Sequence, residues 1–230
     1  MNKTVEEFYN SKDKDKNYLE KYDIEHGPRL DTVIEEFKLR EIKDKKIIDV
    51  GGGNGFLCKR LDKSNTYLII DGAYIEDDKI DNKFSFLRID LDKDGWNWLL
   101  ADPNLVSEIN KFLPADITFC FETLEHLSNP YHCLCEIKNT TILNGDIYLS
   151  IPDSSVTHNT IYPGLIYPVQ NFIQFLGQMA LPIEKYYLFD KGWKTHVFKC
   201  RNADWKECQM LFPKNESKFI GKTPLEYTNI

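Results

Sequence analysis

The sequence lacks the long apolar segments that would place the protein in a membrane. None of its apolar runs approaches the roughly 18 residues that a transmembrane helix needs. The first seven residues, Met-Asn-Lys-Thr-Val-Glu-Glu, contain no apolar core, so no signal peptide is expected. We therefore predict a cytoplasmic protein that makes no membrane contact.

The six cysteines also lack the C-x-x-C spacing that is typical of zinc and redox sites. Cys120 lies in an apolar run, and Cys58 and Cys133 lie in segments that suit helices. We therefore expect reduced thiols rather than disulfides. A zinc site that uses Cys133 and Cys135 is an alternative that the spacing does not favour.

The chain has fewer basic residues than acidic ones. The chain has 29 lysines and arginines against 36 acidic residues, which gives a net charge of −7 and a pI of about 5.3. Proteins that bind nucleic acid through its phosphates usually carry the opposite balance, so a nucleic-acid partner is not expected. With 230 residues, 42% hydrophobic and 28% charged, the chain suits one ordinary globular domain.

The most informative stretch is KIIDVGGGNGFL, residues 46–57. Its β-branched residues predict a buried strand, and its glycines predict a tight turn that another molecule can approach closely. Residues 56–61 then predict the first turns of a helix. A strand, a glycine turn and a helix in this order are typical of a nucleotide-type site at the carboxyl edge of a parallel sheet. A glycine turn without any ligand is the alternative.

The spacing of the glycines separates two classes of ligand. A dinucleotide fingerprint requires G-x-G-x-x-G/A, but counting from Gly51 and Gly53 its third position is Phe56, which is too large. The pattern present is instead Asp49-x-Gly51-x-Gly53-x-Gly55. It resembles motif I of the class I S-adenosylmethionine-dependent methyltransferases. The resemblance implies that these four residues bind the cofactor, with the acid facing the methionine amino group.

Three later strands are predicted to end in acids. Residues 66–72 end with Asp71, which lies 20 residues after Gly51, where a carboxylate can accept two hydrogen bonds from a ribose diol. Residues 84–91 lead to Asp90, which the resemblance places beside the adenine amino group. Residues 117–121 lead to Glu122, which it places among the cofactor-binding residues. Turn or helix-cap roles are the alternatives for Asp71 and Asp90.

The segment after the fourth strand strengthens the resemblance. Residues 122–130 contain a Glu-His-Leu and an Asn-Pro before a predicted helix over 131–141, an exit turn at 143–146 and a fifth strand at 147–152. The resemblance therefore covers about residues 45–152. It implies an α/β, Rossmann-like, doubly wound and mostly parallel sheet with helices on both faces.

The two ends of the chain depart from this pattern. We expect residues 1–26 to form a solvated arm or flap, followed by a break at Gly27-Pro28 and a helix over 30–40. Residues 27–152 are expected to form the cofactor-binding, Rossmann-like core. Residues 153–230, with a helix over 169–181, are expected to form an aromatic-rich C-terminal cap over the substrate in the same domain. The closing hairpin of the family is not evident in this region.

Candidate catalytic groups are few. Methyl transfer from a sulfonium is an in-line displacement in which the protein mainly positions donor and acceptor. An oxygen or nitrogen acceptor can also require a base. His126, at the mouth of the expected cofactor site, is the first candidate, followed by His158 and His196; structural roles are the alternatives for all three.

No metal is expected, but one alternative set of ligands exists. If residues 122–126 were helical, Glu122, Glu125 and His126 would share one face and could hold a divalent ion. This arrangement resembles the metal site of RNA 3′-terminal 2′-O-methyltransferases and of some quinone-pathway O-methyltransferases.

We therefore predict an S-adenosylmethionine-dependent methyltransferase that releases S-adenosylhomocysteine. Its acceptor is expected to be a small molecule methylated on oxygen rather than nitrogen, as in the ubiquinone-pathway and sugar-modifying enzymes that it resembles. A macromolecular acceptor, a non-catalytic methyltransferase-like partner subunit and a nicotinamide-dependent oxidoreductase are the alternatives. The sequence specifies neither the acceptor nor the oligomeric state.

Overall fold

The computed structural model describes residues 16–72, 83–91, 109–153, 168–191, 193–204 and 206. The strands are β1 Lys46–Val50, β2 Thr66–Asp71, β3 Phe84–Arg88, β4 Ala115–Phe121, β5 Thr141–Pro152, β6 Ile183–Lys191 and β7 Trp193–Arg201. The helices are α1 Lys16–Glu36, α2 Pro130–Thr140 and α3 Val169–Gln178, with 3₁₀ turns at Leu39–Glu41, Cys58–Arg60 and Leu124–His126. None of the described helices is long and apolar enough to cross a membrane.

The strands form one sheet in the order β3-β2-β1-β4-β5-β7-β6. Strands β1 to β5 are parallel, and β7 runs antiparallel to both β5 and β6. The chain builds outward from β1 in one direction through β2 and β3, and in the other through β4 and β5. The switch point therefore lies between β1 and β4, beside the glycine turn, which is where open α/β sheets bind their ligands. This topology confirms the predicted fold class.

Apolar side chains alternate along the strands and fill both faces of the sheet. One cluster packs under α2 and α3 and includes Ile48, Leu149 and Phe198; the other packs under α1 and includes Ile47 and Phe119. The period of two in a strand sends successive residues to opposite faces, so each strand contributes to both clusters. Helices on both faces, as predicted, cover this core.

Helix α1 begins at Lys16 rather than near Leu30 and passes through Gly27 and Pro28, so the predicted break there is wrong. A proline inside a helix costs about 3 kcal/mol. The packing of the following residues against the sheet, with Val33 and Ile34 fully buried, offsets this cost. Part of the predicted arm is therefore helical, and residues 1–15 lie outside the described part.

Two local predictions beside the strands need correction. Residues 56–61 form only a 3₁₀ turn, because Leu61 is already extended and the Arg60 side chain donates back to the Phe56 carbonyl oxygen at 2.8 Å. The predicted exit turn at 143–146 lies within β5, where the pairing with β4 shifts register between Ala115 and Ile117. Asn144, at φ +64°, provides the bend.

The aromatic residues expected to form a cap are instead strand residues. Tyr186 and Tyr187 lie in β6 and Phe198 lies in β7, and these strands complete the sheet as an antiparallel hairpin. Aromatic side chains favour strands because they pack well on a pleated surface. The predicted helix over 169–181 is confirmed as α3. Residues 92–108, 154–167 and 207–230 lie outside the described residues.

Candidate functional site

The glycine turn joins the carboxyl end of β1 to the ends of its neighbours. Gly51, Gly53 and Gly55 have φ values of +70°, +54° and +71°, the left-handed region that glycine adopts most readily. A Cβ at Gly51 would lie 2.0 Å from Thr123 Oγ1, just after β4, and a Cβ at Gly55 would lie 2.8 Å from Ile69 Cδ1 in β2. Both positions therefore require glycine for packing as well as for conformation.

Gly53 differs because its α-carbon has few neighbours within the described part of the chain. Among the described residues, a Cβ built there would meet only the Phe56 ring, at 3.9 Å. The Gly53 amide donates a hydrogen bond to Asp71 Oδ2 at 2.8 Å, which holds the acid at the end of β2 against the turn. The structure thus brings together two predicted site residues, and it leaves a place where another molecule can approach the backbone.

Asp49 lies beneath the turn. Its side chain is buried, and a Cβ at Gly52 would be 2.6 Å from its Oδ2, so the turn wraps directly over the carboxylate. The Cys58 thiol donates to Oδ2 at 3.4 Å. Burial raises the pKa of Asp49 to about 7, the Cys58 hydrogen bond opposes this rise, and the charge of Asp71 adds to it. A cation placed beside Asp49 would favour its ionised form.

Asp90 lies two residues beyond β3, at the same edge as Asp71. The ends of the two strands are in register, with Asp71 opposite Arg88, and the Ile89 amide donates to the Asp71 carbonyl oxygen at 3.0 Å. The structure therefore places Asp49, Asp71 and Asp90 at the ends of three adjacent parallel strands. Their roles toward a ligand remain predictions.

Glu122 follows β4 in the left-handed conformation, at φ +50°. Its amide donates to Ser150 Oγ at 2.9 Å, and Ser150 Oγ donates back to Glu122 Oε1 at 2.9 Å. Arg29 Nη1 of α1 donates to Oε2 at 3.0 Å. Both carboxylate oxygens of Glu122 thus contact the protein itself. A non-glycine residue held at positive φ is a feature that clusters at functional sites.

The predicted histidines occupy different environments. His126 lies in the 3₁₀ turn, with 16% of its side chain exposed and Nε2 3.8 Å from Glu125 Oε1. Glu125 is buried, and this burial, with a contribution from the charge of Glu122, raises its pKa well above the usual range. His158 lies outside the described residues.

His196 lies in β7, where both of its ring nitrogens have partners. Nδ1 is 2.8 Å from the Tyr186 hydroxyl and Nε2 is 2.8 Å from Asp153 Oδ2. Burial lowers its pKa, while the hydrogen bond to Asp153 acts in the opposite direction. With both nitrogens bonded in this way, His196 is arranged as a fixed link between β5, β6 and β7. Direct proton transfer with a substrate would require one of these bonds to break.

No three His, Cys, Asp or Glu residues in the described part of the chain form a group that could hold a metal ion. The helical face assumed for Glu122, Glu125 and His126 does not form, because residues 124–126 make a single 3₁₀ turn.

The described cysteines are free thiols: Cys58, Cys120, Cys133, Cys135 and Cys200.

Helix α1 covers one side of the glycine turn. The Tyr22 ring stacks on the Phe56 ring with centroids 4.6 Å apart, and the Arg60 guanidinium contacts the Asp23 carboxylate. These contacts, like that of Arg29 with Glu122, were missed by the sequence analysis. No local sequence motif predicts these contacts, because each of them joins residues that are far apart in the chain.

No protein-family model matches this chain, and no curated protein matches it. Solved structures do match. A S-adenosylmethionine-dependent methyltransferase from Aquifex aeolicus has 16% identity and a TM-score of 0.52, over 76% of this chain and 89% of that chain. Magnesium protoporphyrin IX methyltransferase of Synechocystis PCC 6803, crystallised with S-adenosylhomocysteine, has 13% identity and a TM-score of 0.54, over 77% and 83%.

The N-methyltransferase NodS of Bradyrhizobium japonicum, also crystallised with S-adenosylhomocysteine, is similar at 12% identity and a TM-score of 0.54, over 77% of this chain and 87% of that chain. At such identities the likeness shows the fold. The described chain therefore has the fold of the class I methyltransferases, as the glycine motif and the strand-end acids suggested.

Proposed function

We propose that this protein is an S-adenosylmethionine-dependent methyltransferase. The observation that carries the proposal is the contact of the Gly53 amide with Asp71 above the buried Asp49 carboxylate, at the switch point of the sheet. Two structural neighbours were crystallised with the product of such a cofactor, S-adenosylhomocysteine, which supports the same assignment here.

The residues present fit this cofactor. Asp71 would accept hydrogen bonds from the ribose hydroxyls and Asp90 from the adenine amino group, while Asp49 would face the ammonium group. Among the described residues only the Phe56 ring comes near a Cβ built at Gly53, which leaves room for the ligand to approach the backbone. When bound, the cofactor supplies a methyl group activated by a positively charged sulfur. The protein's contribution is to fix that methyl group and the acceptor in line and to exclude water.

We further propose a small-molecule acceptor that is methylated on oxygen. The supporting observations are the acidic net charge of −7, which disfavours a phosphate-rich partner, and His126 at the carboxyl edge of the sheet. In this proposal the imidazole of His126 takes the proton that the acceptor hydroxyl loses as the methyl group arrives. Burial raises the pKa of the nearby Glu125, and a positive charge on His126 would lower it again, so that the ionised carboxylate could stabilise the imidazolium.

Calorimetric titration with S-adenosylhomocysteine, repeated with NADH, tests the cofactor assignment. We expect micromolar binding of the former and none of the latter. In the Gly53→Ala variant a methyl group would occupy the open space beside the turn, so binding should fall at least about tenfold. The added strain of a left-handed alanine costs only about 1 kcal/mol, so the variant should fold.

Gly177→Ala is the matched control, because a Cβ at Gly177 of α3 meets no atom within 4 Å among the described residues. It should keep the affinity of the wild type and gain up to about 1 kcal/mol of stability. The proposal would be wrong if the wild type bound NADH alone, or neither ligand, or if Gly53→Ala bound S-adenosylhomocysteine as tightly as the wild type.

A further inference from the structure

Arg29 is a nearly buried cation at the carboxyl edge of the sheet. Only 11% of its side chain is exposed, and it pairs with Glu122, whose own side chain is 13% exposed. Ser150 in turn fixes Glu122 through both the amide and the carboxylate. A guanidinium in such surroundings has a defined orientation, because its partner is held from two sides.

Most of the hydrogen-bonding capacity of Arg29 is not used by these contacts. A guanidinium carries five N–H donors in a planar fork. Within the described part of the chain, its hydrogen-bond acceptor is Glu122 Oε2, which contacts Nη1. The Nε and Nη2 donors therefore remain available for a planar anion, and a carboxylate is the natural match for that fork.

The Arg29–Glu122 pair lies beside the glycine turn. Thr123, which directly follows Glu122, packs against Gly51 and donates to the Val50 carbonyl oxygen at 3.4 Å. Arg60, the other arginine beside the turn, already bonds to the Phe56 carbonyl oxygen and to Asp23.

The same edge is otherwise rich in acids. Asp49, Asp71, Asp90, Glu122 and Asp153 lie in or just after the five parallel strands. A ligand carboxylate would be repelled by this edge unless a fixed cation met it. Arg29 provides that cation in a site shielded from water, where a charge-assisted pair is strongest.

We propose that Arg29 is the carboxylate-binding residue of this site, oriented by Glu122 and Ser150. The inference rests on the proposed function and deepens it. The carboxylate has two sources in a methyl transfer of this kind: the amino-acid end of the cofactor, or an acidic acceptor. The chemistry recognised is the same in both, and binding measurements separate them.

The first arm compares S-adenosylhomocysteine with S-adenosyl-3-thiopropylamine, which keeps the amine and lacks the carboxylate. If the cofactor is the source, Arg29→Gln should weaken binding of the former by roughly ten- to a hundredfold, the value of a charged hydrogen-bonded pair. Binding of the amine analogue should stay within about twofold of the wild type. Arg29→Lys keeps the charge but loses the planar fork, so its affinity for S-adenosylhomocysteine should lie between those of the wild type and Arg29→Gln.

The second arm titrates benzoate into protein saturated with S-adenosylhomocysteine, followed by saturation-transfer NMR. If the acceptor is the source, the wild type should bind benzoate and Arg29→Gln should not, while the affinity for S-adenosylhomocysteine is unchanged. Arg40→Gln is the matched control, since Arg40 also pairs with a carboxylate of α1, Asp31 at 3.0 Å, but in an exposed position. Arg40→Gln should change neither the affinity for S-adenosylhomocysteine and its amine analogue nor the binding of benzoate.

Two results would overturn the inference: no effect of Arg29→Gln in either arm, or an equal loss for S-adenosylhomocysteine and its amine analogue. The latter would mean that Arg29 only supports the fold, and thermal melting of Arg29→Gln and Arg29→Lys would show it independently. Failure of the wild type to bind S-adenosylhomocysteine would instead contradict the proposed function. Benzoate titration of the ligand-free protein would then still decide the role of Arg29.

Discussion

Asp49 has a pKa of about 7 because it is buried under the glycine turn. The ionised form lacks water, and a single thiol hydrogen bond from Cys58 compensates only in part. The negative charge of Asp71 opposes ionisation further. A ligand that brings an ammonium group to this carboxylate would reverse the balance and drive the proton off.

We therefore expect the affinity for S-adenosylhomocysteine to depend on pH. Below the pKa of about 7, each pH unit should weaken binding by up to about tenfold, because Asp49 must first lose its proton. Above it the affinity should level off. Calorimetry in buffers of different ionisation enthalpy should detect proton release near pH 6. Asp49→Asn should bind weakly with a flat profile.

Asp49 should affect the stability of the free protein in the opposite direction: its contribution should fall as the pH rises, whereas the affinity for the ligand should increase. The folded pKa of Asp49 lies above its ordinary value of 3.8, so this residue costs increasing stability as the pH rises from about 4 through 7. Asp49→Asn removes that cost. Its melting temperature relative to the wild type should thus be higher at pH 8 than at pH 4. Equal differences at both pH values, together with pH-independent ligand binding, would show that Asp49 is not buried as described.

At the scale of elements, Lys138 joins three segments at the end of the sheet opposite the ligand site. Its Nζ donates to the Ala180 carbonyl oxygen at 3.2 Å, to Asn202 Oδ1 at 2.9 Å and to the Ala203 carbonyl oxygen at 2.6 Å. Helix α2, the residues after α3 and the end of β7 therefore share one ammonium group. The charge also lies in the last turn of α2, where it interacts favourably with the helix dipole.

Lys138→Met should lower the free energy of unfolding by about 3 kcal/mol, because three acceptors lose a charged donor at once. Urea denaturation measures this change. Lys194→Met is the control: Lys194 pairs with Asp190 at 3.5 Å, both side chains are about half exposed, and exposed pairs contribute little. An effect of Lys138→Met as small as that of the control would mean that water replaces the lysine without loss.

The elements that the sequence predicted best are those with a strong local signal. Strands β1, β2 and β4 are short apolar runs, and the acids at or after their ends marked the carboxyl edge of the sheet. Their burial on both faces makes such runs recognisable. Asp49, Asp71 and the glycines could therefore be assigned to one site before their contacts were known.

The features that the sequence did not predict depend on distant contacts. Tyr186 and Phe198 have aromatic character that suits either a cap or a strand, and only their pairing decides between the two. Arg29 contacts a residue 93 positions away, so no motif contains both partners. Helix α1 persists through Pro28 because the sheet holds its apolar face, and tertiary packing of this kind outweighs local propensity.

The whole molecule combines a net charge of −7 with acids at the ends of its parallel strands. This field favours cationic ligands, and a cofactor with a sulfonium and an ammonium group is one of them. It disfavours long polyanions, since a phosphate backbone gains its affinity from lysine and arginine contacts that release counterions. The charge distribution thus bears directly on the choice between a small acceptor and RNA.

We expect no RNA binding at physiological ionic strength. Fluorescence anisotropy with a labelled RNA hairpin and with a single strand, each in the presence of S-adenosylhomocysteine, should give no saturable signal up to about 10 µM protein at 0.15 M salt, because non-specific binding is already weak even for basic proteins. A sub-micromolar affinity that falls linearly with salt on logarithmic axes would contradict the small-molecule proposal. The acceptor would then be a nucleic acid.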